Sequence, residues 1–302
     1  MAEIWPWIAF NTFIIIMLLL DLFVLHRDSR VIDVKEAVRW SIFWISLALL
    51  FNVLIYFTRG TQDALDFLAA YLIEESLSLD NLFVFILLFS YFRTPPQYLH
   101  RVLFFGILGA ILMRAFFIIV GLSLISWFSS VLYLFGAFLI YMGFKMAFKN
   151  EEDLHPEKNP LLRILRTLIP ITKDYVNGNF FVIQEGRRWA TPLFVVLIAV
   201  ETTDVIFAID SIPAVFAITL DPFIVYTSNI FAVLGLRSIF FALAGAMGLF
   251  HFLHYGLAVV LIFVGIKMMI GHFIEIPILM TLGVIAICIG GSIVASLWLP
   301  KK

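Results

Sequence analysis

One cysteine, Cys288, stands in 302 residues, so no disulfide forms within the chain. Charge is scarce as well. Only 14% of residues are Asp, Glu, Lys or Arg, and 20 basic against 21 acidic residues leave a net charge of −1. Soluble domains carry about a quarter charged residues. A near-neutral chain has no field to attract nucleic acid, so no nucleic-acid partner is expected. The six histidines come with no second cysteine, which excludes the usual Cys/His zinc clusters.

What fills the chain is apolar side chain, 63% of the residues. A water-soluble fold of this length cannot hide that many. The runs are long enough to cross the roughly 30 Å hydrocarbon layer as helices of about 20 residues. Barrel strands need about 10 residues of alternating polarity, which these runs lack. The expected fold is all-α and polytopic, with nine transmembrane helices at 4–25, 38–57, 65–92, 102–123, 130–148, 191–219, 222–245, 252–271 and 277–299. The first span is not expected to be a cleaved signal. Its leading segment holds only Glu3, and no A-x-A-like site follows.

Basic residues set the orientation. Arg27, Arg30, Lys35, Arg39, Arg93, Arg101, the eight Lys and Arg between Lys145 and Arg188, and Lys301 and Lys302 all fall on one side. Arg59 and Lys267 fall on the other. The N-terminus is expected outside and the C-terminus in the cytoplasm. Trp5, Trp7, Trp40, Trp127, Trp189 and Trp298 near span ends fit an aromatic belt.

The loop 149–190 is expected in the cytoplasm. Asn159-Pro160 opens an amphipathic helix in its pattern. Asn177-Gly178 signals a turn, and 180–189 reads as a small hairpin. No nucleotide or catalytic motif lies there, so no enzymatic activity is expected. Protein partners of this loop are left open.

A pattern recurs. Glu74, five residues, then Asp80-Asn81 is answered by Asp204, five residues, then Asp210-Ser211. The following spans each hold one deep arginine, Arg114 and Arg237. The spans after those end in Gly143-Phe144-Lys145-Met146 and Gly265-Ile266-Lys267-Met268. Three spans per unit invert the second copy. The expected division is 1–64 (two helices), 65–148 (first repeat), 149–190 (loop), 191–271 (inverted second repeat) and 272–302 (last helix). Inverted repeats point to a secondary transporter with its site near the midplane.

Glu74, Asp80, Glu201, Asp204 and Asp210 lie deep in spans. Each costs about 2.5–3.5 kcal/mol there even on the lenient scale. Structural pairing with Arg114 and Arg237 is the alternative, but two arginines do not neutralise five acids. The acids are therefore expected to bind a cation. Asn81, Ser211, Asn229, Thr202 and Thr203 add oxygen donors, which suit Mg²⁺, Ca²⁺ or Mn²⁺. Carboxylates repel anions such as tellurite. Arg114 and Arg237 would balance charge in an empty site. Five acids and two arginines sum to −3, and one divalent ion leaves −1. Buried carboxylates left uncompensated hold protons instead, so metal–proton exchange is expected.

Other features weigh less. Pro213 removes the bond to the Ile209 carbonyl, and the helix is expected to open there; a simple kink is the alternative. Glu75 points about 100° away from Glu74 and ranks behind it. Asp21 is read as snorkelling, and His251 and His254 as solvated. Gly106, Gly109, Gly235, Gly245 and Gly248 read as close-packing positions.

The stretches 74–81, 89–92, 200–214, 221–224 and 227–237 resemble the TerC family of integral membrane proteins, named for tellurium resistance. The resemblance covers nearly the whole chain, and within the family it is greatest to the Alx-like members. It implies an inverted three-helix repeat like that of lysine exporters, and a manganese efflux function, with the family's acidic positions falling on Glu74, Asp80, Glu201, Asp204 and Asp210. No resident cofactor is implied; Mn²⁺ would be cargo, moved by an antiporter-like cycle. The rivals are Ca²⁺ or another divalent ion carried by the same machine, and a non-transporting scaffold in metal or tellurium stress that works through the 149–190 loop.

Overall fold

The computed structural model describes residues 4–20, 33–148, 169–184, 186–244, 252–271, 274 and 276–298, without the side chains of Asp80 and Leu297. Among them are nine helices and one hairpin. The helices are α1 (Ile4–Leu20), α2 (Val34–Arg59), α3 (Thr61–Tyr91), α4 (Pro96–Trp127), α5 (Val131–Ala147), α6 (Pro192–Phe216), α7 (Pro222–Ala244), α8 (Leu253–Ile270) and α9 (Ile278–Trp298). Strands β1 (Phe181–Gln184) and β2 (Arg187–Ala190) lie between α5 and α6. Six helices are long and apolar enough to span a membrane, and α1 and α5 are shorter apolar helices. The protein is a polytopic all-α membrane protein.

Several helices extend beyond the expected spans. α4 begins at Pro96 rather than at residue 102, because Pro96 supplies a ready-made first turn. α7 starts on a side-chain cap: Asp221 Oδ1 accepts from the Phe223 and Ile224 amides at 2.9 and 3.0 Å, with Pro222 between. α6 stays helical through Pro213 to Phe216. The expected opening at Ile209 therefore does not occur. Pro213 removes one bond, three residues from the helix end, and the next turn still closes with the Ala217 amide on the Pro213 carbonyl.

α7 is the most enclosed element. Every residue from Thr227 to Phe240 is buried, including Asn229 and Arg237. It packs on α2, α3 and α4, while α6 packs on α3 and α4. α5 lies along α8, and α9 lies against α8 and α3.

Glycines set the α5–α8 seam. A Cβ on Gly143 would fall 2.8 Å from the Ala258 carbonyl and 2.6 Å from Ile262. A Cβ on Gly265 would fall 2.7 Å from the Gly136 carbonyl and 2.9 Å from Ile140. The pairs 136 and 258, 140 and 262, 143 and 265 are separated by the same number of residues. The two contacts are one contact with its partners exchanged.

The hairpin forms as expected, Phe181 opposite Ala190 and Gln184 opposite Arg187, with Gly186 at φ 72° in its turn. Asn177 and Gly178 both take positive φ, as the turn signal required. Tyr175 anchors this segment by donating to the Phe92 carbonyl at 2.9 Å. Burial pushes its phenol above the usual value, and the Thr94 hydroxyl partly offsets this. The helix expected from Asn159-Pro160, and Asp21, His251, Gly245 and Gly248, lie outside the described residues.

Candidate functional site

Arg114 is the hub. It sits on α4 with no exposed surface, a position that sequence alone marks as costly. Its Nη1 donates to Glu74 Oε1 on α3 and, at 2.8 Å, to Asn229 Oδ1 on α7. Its Nη2 lies 3.9 Å from Asp204 Oδ1 on α6. Four helices thus meet at one guanidinium. Asn229 is held in turn by donating to the Val225 carbonyl at 3.1 Å, so its oxygen faces Arg114.

The cluster is not saturated. Glu74 Oε2, Asp204 Oδ2 and Arg114 Nε and Nη2 are buried with no hydrogen-bond partner among the described residues. Ser211 Oγ, two turns along α6 from Asp204, is in the same state. Buried polar atoms are normally paired, and a water, an ion or a shift of the neighbouring side chains would each satisfy these.

Glu201 lies one helical turn from Asp204 on α6. Its carboxylate sits directly on the backbone of α4 at Gly109, where any Cβ would overlap it. Gly109 is thus a seat for an acid as well as a close-packing position. Beside Asp204 a small cavity of about 20 Å³ is lined also by Arg237, Gly106 and Ala110. That is room for about one water.

The other expected residues scatter around this hub. Asp210 is half-buried on α6, six residues beyond Asp204, and Asn81 is half-buried on α3. Arg237 is buried on α7. Asp80 is placed on α3, and its side chain lies outside the described residues. Thr202 and Thr203 donate to the Ile198 and Ala199 carbonyls of their own helix, at 2.6 and 2.8 Å. Among the described residues no three His, Cys, Asp or Glu side chains form a group that could hold a metal ion. Arg114 stands between Glu74 and Asp204 and is the cation those two acids share.

Glu75 turns away from this hub, with its Oε1 facing Gly235 of α7. Both of its oxygens are buried, and the hydroxyl beside its carboxyl is that of Tyr71, one turn back on the same helix. Sequence ranked it second because of its angle from Glu74, and the angle is what separates it from the cluster.

Toward the end of the bundle that carries Phe216, a depression of about 1160 Å³ is bordered by Asp66, Lys267, Gln62 and Tyr133. Phe216 forms part of its lining and fills the space over Gly121 on α4.

The family model described as "Integral membrane protein TerC family" matches residues 59–302. An "Uncharacterized membrane protein STKORF319" of Myxococcus xanthus is 49% identical over 291 residues, covering 96% of this chain and 91% of that protein. The Escherichia coli (strain K12) "Putative membrane-bound redox modulator Alx" is 48% identical over 288 residues, covering 92% and 90%. Its Salmonella typhi counterpart is 46% identical over 305 residues, covering 98% and 95%. No solved structure matches the chain.

Proposed function

This chain belongs to the TerC family of integral membrane proteins, and from that premise we propose that it is a secondary transporter moving a divalent cation, Mn²⁺ before others, out of the cytoplasm. The observation that carries this reading is the hub itself: buried carboxylates from α3 and α6 gathered on one arginine, with oxygen atoms left unpaired. Glu74, Glu201 and Asp204 with Arg114 sum to two negative charges, which one divalent cation neutralises. The donors are hard oxygens, which suits Mn²⁺, Mg²⁺ and Ca²⁺ over softer metals.

Arg114 acts in this scheme as a tethered stand-in for the cargo. When the ion enters between Glu74 and Asp204, the guanidinium withdraws toward Asn229. When the ion leaves, it returns and satisfies the acids. Asp80 and Asp210, the second acid of each motif, extend the site along α3 and α6, with Asn81 and Ser211 beside them. Arg237 balances charge on the α7 side. Protons taken up by the acids on ion release would make the cycle an exchange.

The units 65–148 and 191–271 are proposed to be inverted copies. The exchanged glycine contacts of the α5–α8 seam support this, as does the pairing of α3 with α7 and α4 with α6. The chain would lie in the inner membrane with its N-terminus outside and its C-terminus in the cytoplasm. The relatives' printed name speaks of redox modulation; this chain, with one cysteine, has no dithiol pair of its own.

The test is flux in liposomes holding the purified protein. Mn²⁺ movement under an imposed proton gradient is expected, with Ca²⁺ and Mg²⁺ as competitors. Asp204→Asn is expected to abolish it in folded protein. Wild-type protein silent toward all three ions would sink the transporter reading and leave a scaffold acting through the 149–190 loop.

A further inference from the structure

The first two helices border a second cavity, lined by none of the hub's acids. Between α1, α2 and the start of α7 lies a groove of about 920 Å³. That falls within the range of small-molecule sites, which are apolar with a few placed polar groups. Its walls are aromatic and aliphatic: Phe10, Phe13, Leu47, Phe51 and Leu54 line it. α1 is pinned to α7 and touches α2 through Phe10 and Phe51, whose ring centroids lie 5.4 Å apart. Trp7 packs edge-on to Phe223 with centroids 5.4 Å apart, and Asn11 Oδ1 accepts from the Tyr226 hydroxyl at 2.8 Å. The groove's other side stays open, with Leu54 55% exposed.

Its mouth is polar and built. Arg59 Nη2 and Nη1 donate to the two oxygens of Asp221 at 2.7 and 3.3 Å, and Nε lies 3.0 Å from Asp63. The guanidinium also rests over the Phe223 ring, 5.4 Å from its centre. Three of the five guanidinium N–H groups are engaged, so two remain to donate. One cation and two carboxylates leave the mouth with a single negative charge. From Thr58 at the mouth to Leu47 at the far end, α2 rises about 16 Å. This is half of the roughly 30 Å hydrocarbon layer, the depth of one leaflet.

We propose that this groove is a binding site for a zwitterionic, amine-headed phospholipid, with one acyl chain in the aromatic groove and its headgroup on the Arg59–Asp63–Asp221 cluster. The phosphate takes the spare Arg59 donors and the ammonium meets the carboxylates. An anionic headgroup has no ammonium to offer those two acids and is repelled by them. The leaflet depth argues for a lipid chain over a compact solute.

The test uses the full protein in non-ionic detergent and native mass spectrometry. Phosphatidylethanolamine and phosphatidylglycerol with the same acyl chains are titrated in parallel. Wild type is expected to bind the ethanolamine lipid about tenfold more tightly. Asp63→Asn with Asp221→Asn is expected to erase that preference; asparagine keeps the α7 cap. Ala9→Trp, which fills the groove, is expected to remove both lipids. Equal binding of the two lipids by wild type overturns the headgroup assignment. A wild-type readout guards against misfolded variants. Phosphatidylethanolamine carrying a photoreactive group at mid-chain is expected to label α1 or α2 around Phe10, Phe51 and Leu54. Labelling spread over α5, α8 and α9 instead, or a second copy of the chain crosslinked through the groove, overturns the site.

Discussion

The carboxylate of Glu201 rests on Gly109 with no side-chain atom between them. An acid on α6 therefore depends on the absence of a methyl group on α4. Its neighbour Gly106 meets only Val200 Cγ1, at 3.3 Å from a notional Cβ, a milder overlap than at Gly109.

Gly109→Ala is expected to push Glu201 out of place. The overlap costs about 1–3 kcal/mol if the helices absorb it. In the transport reading the apparent KM for the ion rises, while Gly106→Ala leaves it nearly unchanged. Flux assays on the two variants side by side check this.

Glu74→Gln removes one of the two carboxylates that face the buried Arg114. Breaking a buried pair by one partner costs about 3–5 kcal/mol, and Asp204, 3.9 Å from Arg114 Nη2, keeps part of the compensation and places the loss at the low end. Adding Arg114→Met is expected to restore much of the thermal stability in detergent but none of the flux. Stability that stays low in the double variant would mean that Glu74 supports the fold through contacts other than Arg114.

The α5–α8 seam predicts a contrast among glycines. Gly143→Ala and Gly265→Ala each drive a methyl into a facing carbonyl, and each is expected to lower stability by about 1–3 kcal/mol. Gly290 on α9 has nothing within 4 Å of its notional Cβ. Gly290→Ala is expected to be neutral or stabilising by up to about 1 kcal/mol, the helix-propensity difference. Thermal unfolding of the three variants separates the cases.

Pro213→Ala restores a helical hydrogen bond in a helix that is already continuous. Flux is expected to survive. Flux lost in a folded Pro213→Ala protein would show that the freed Ile209 carbonyl takes part in the cycle.

Much of this was legible in the residues. Nine apolar runs gave nine helices, because length and hydropathy are local properties of each run. The hairpin was visible in its alternation and in Asn177-Gly178. The meeting of Glu74, Asp204 and Asn229 at Arg114 was only half visible. The sequence marks each as polar in an apolar span, but their convergence depends on how α3, α4, α6 and α7 cross. Gly109 looked like ordinary packing, since nothing in a sequence says that the facing atom is a carboxylate oxygen. Arg59, Asp63 and Asp221 were missed as a group because Asp221 lies 162 residues from Arg59. A charge pattern repeating at the ends of spans, rather than within them, was the available signal.

The glycine seam has a consequence for how the chain tolerates change. A contact in which Gly143 answers Gly265, and Ala258 answers Gly136, is the contact that two identical chains would make about a twofold axis. In such a pair one mutation strikes both ends at once, and neither end is free to vary. In the inverted-repeat reading the two ends, joined in a single chain, are free to drift separately. Ala258 opposite Gly143, where Gly136 stands opposite Gly265, is a difference of that kind between the two ends.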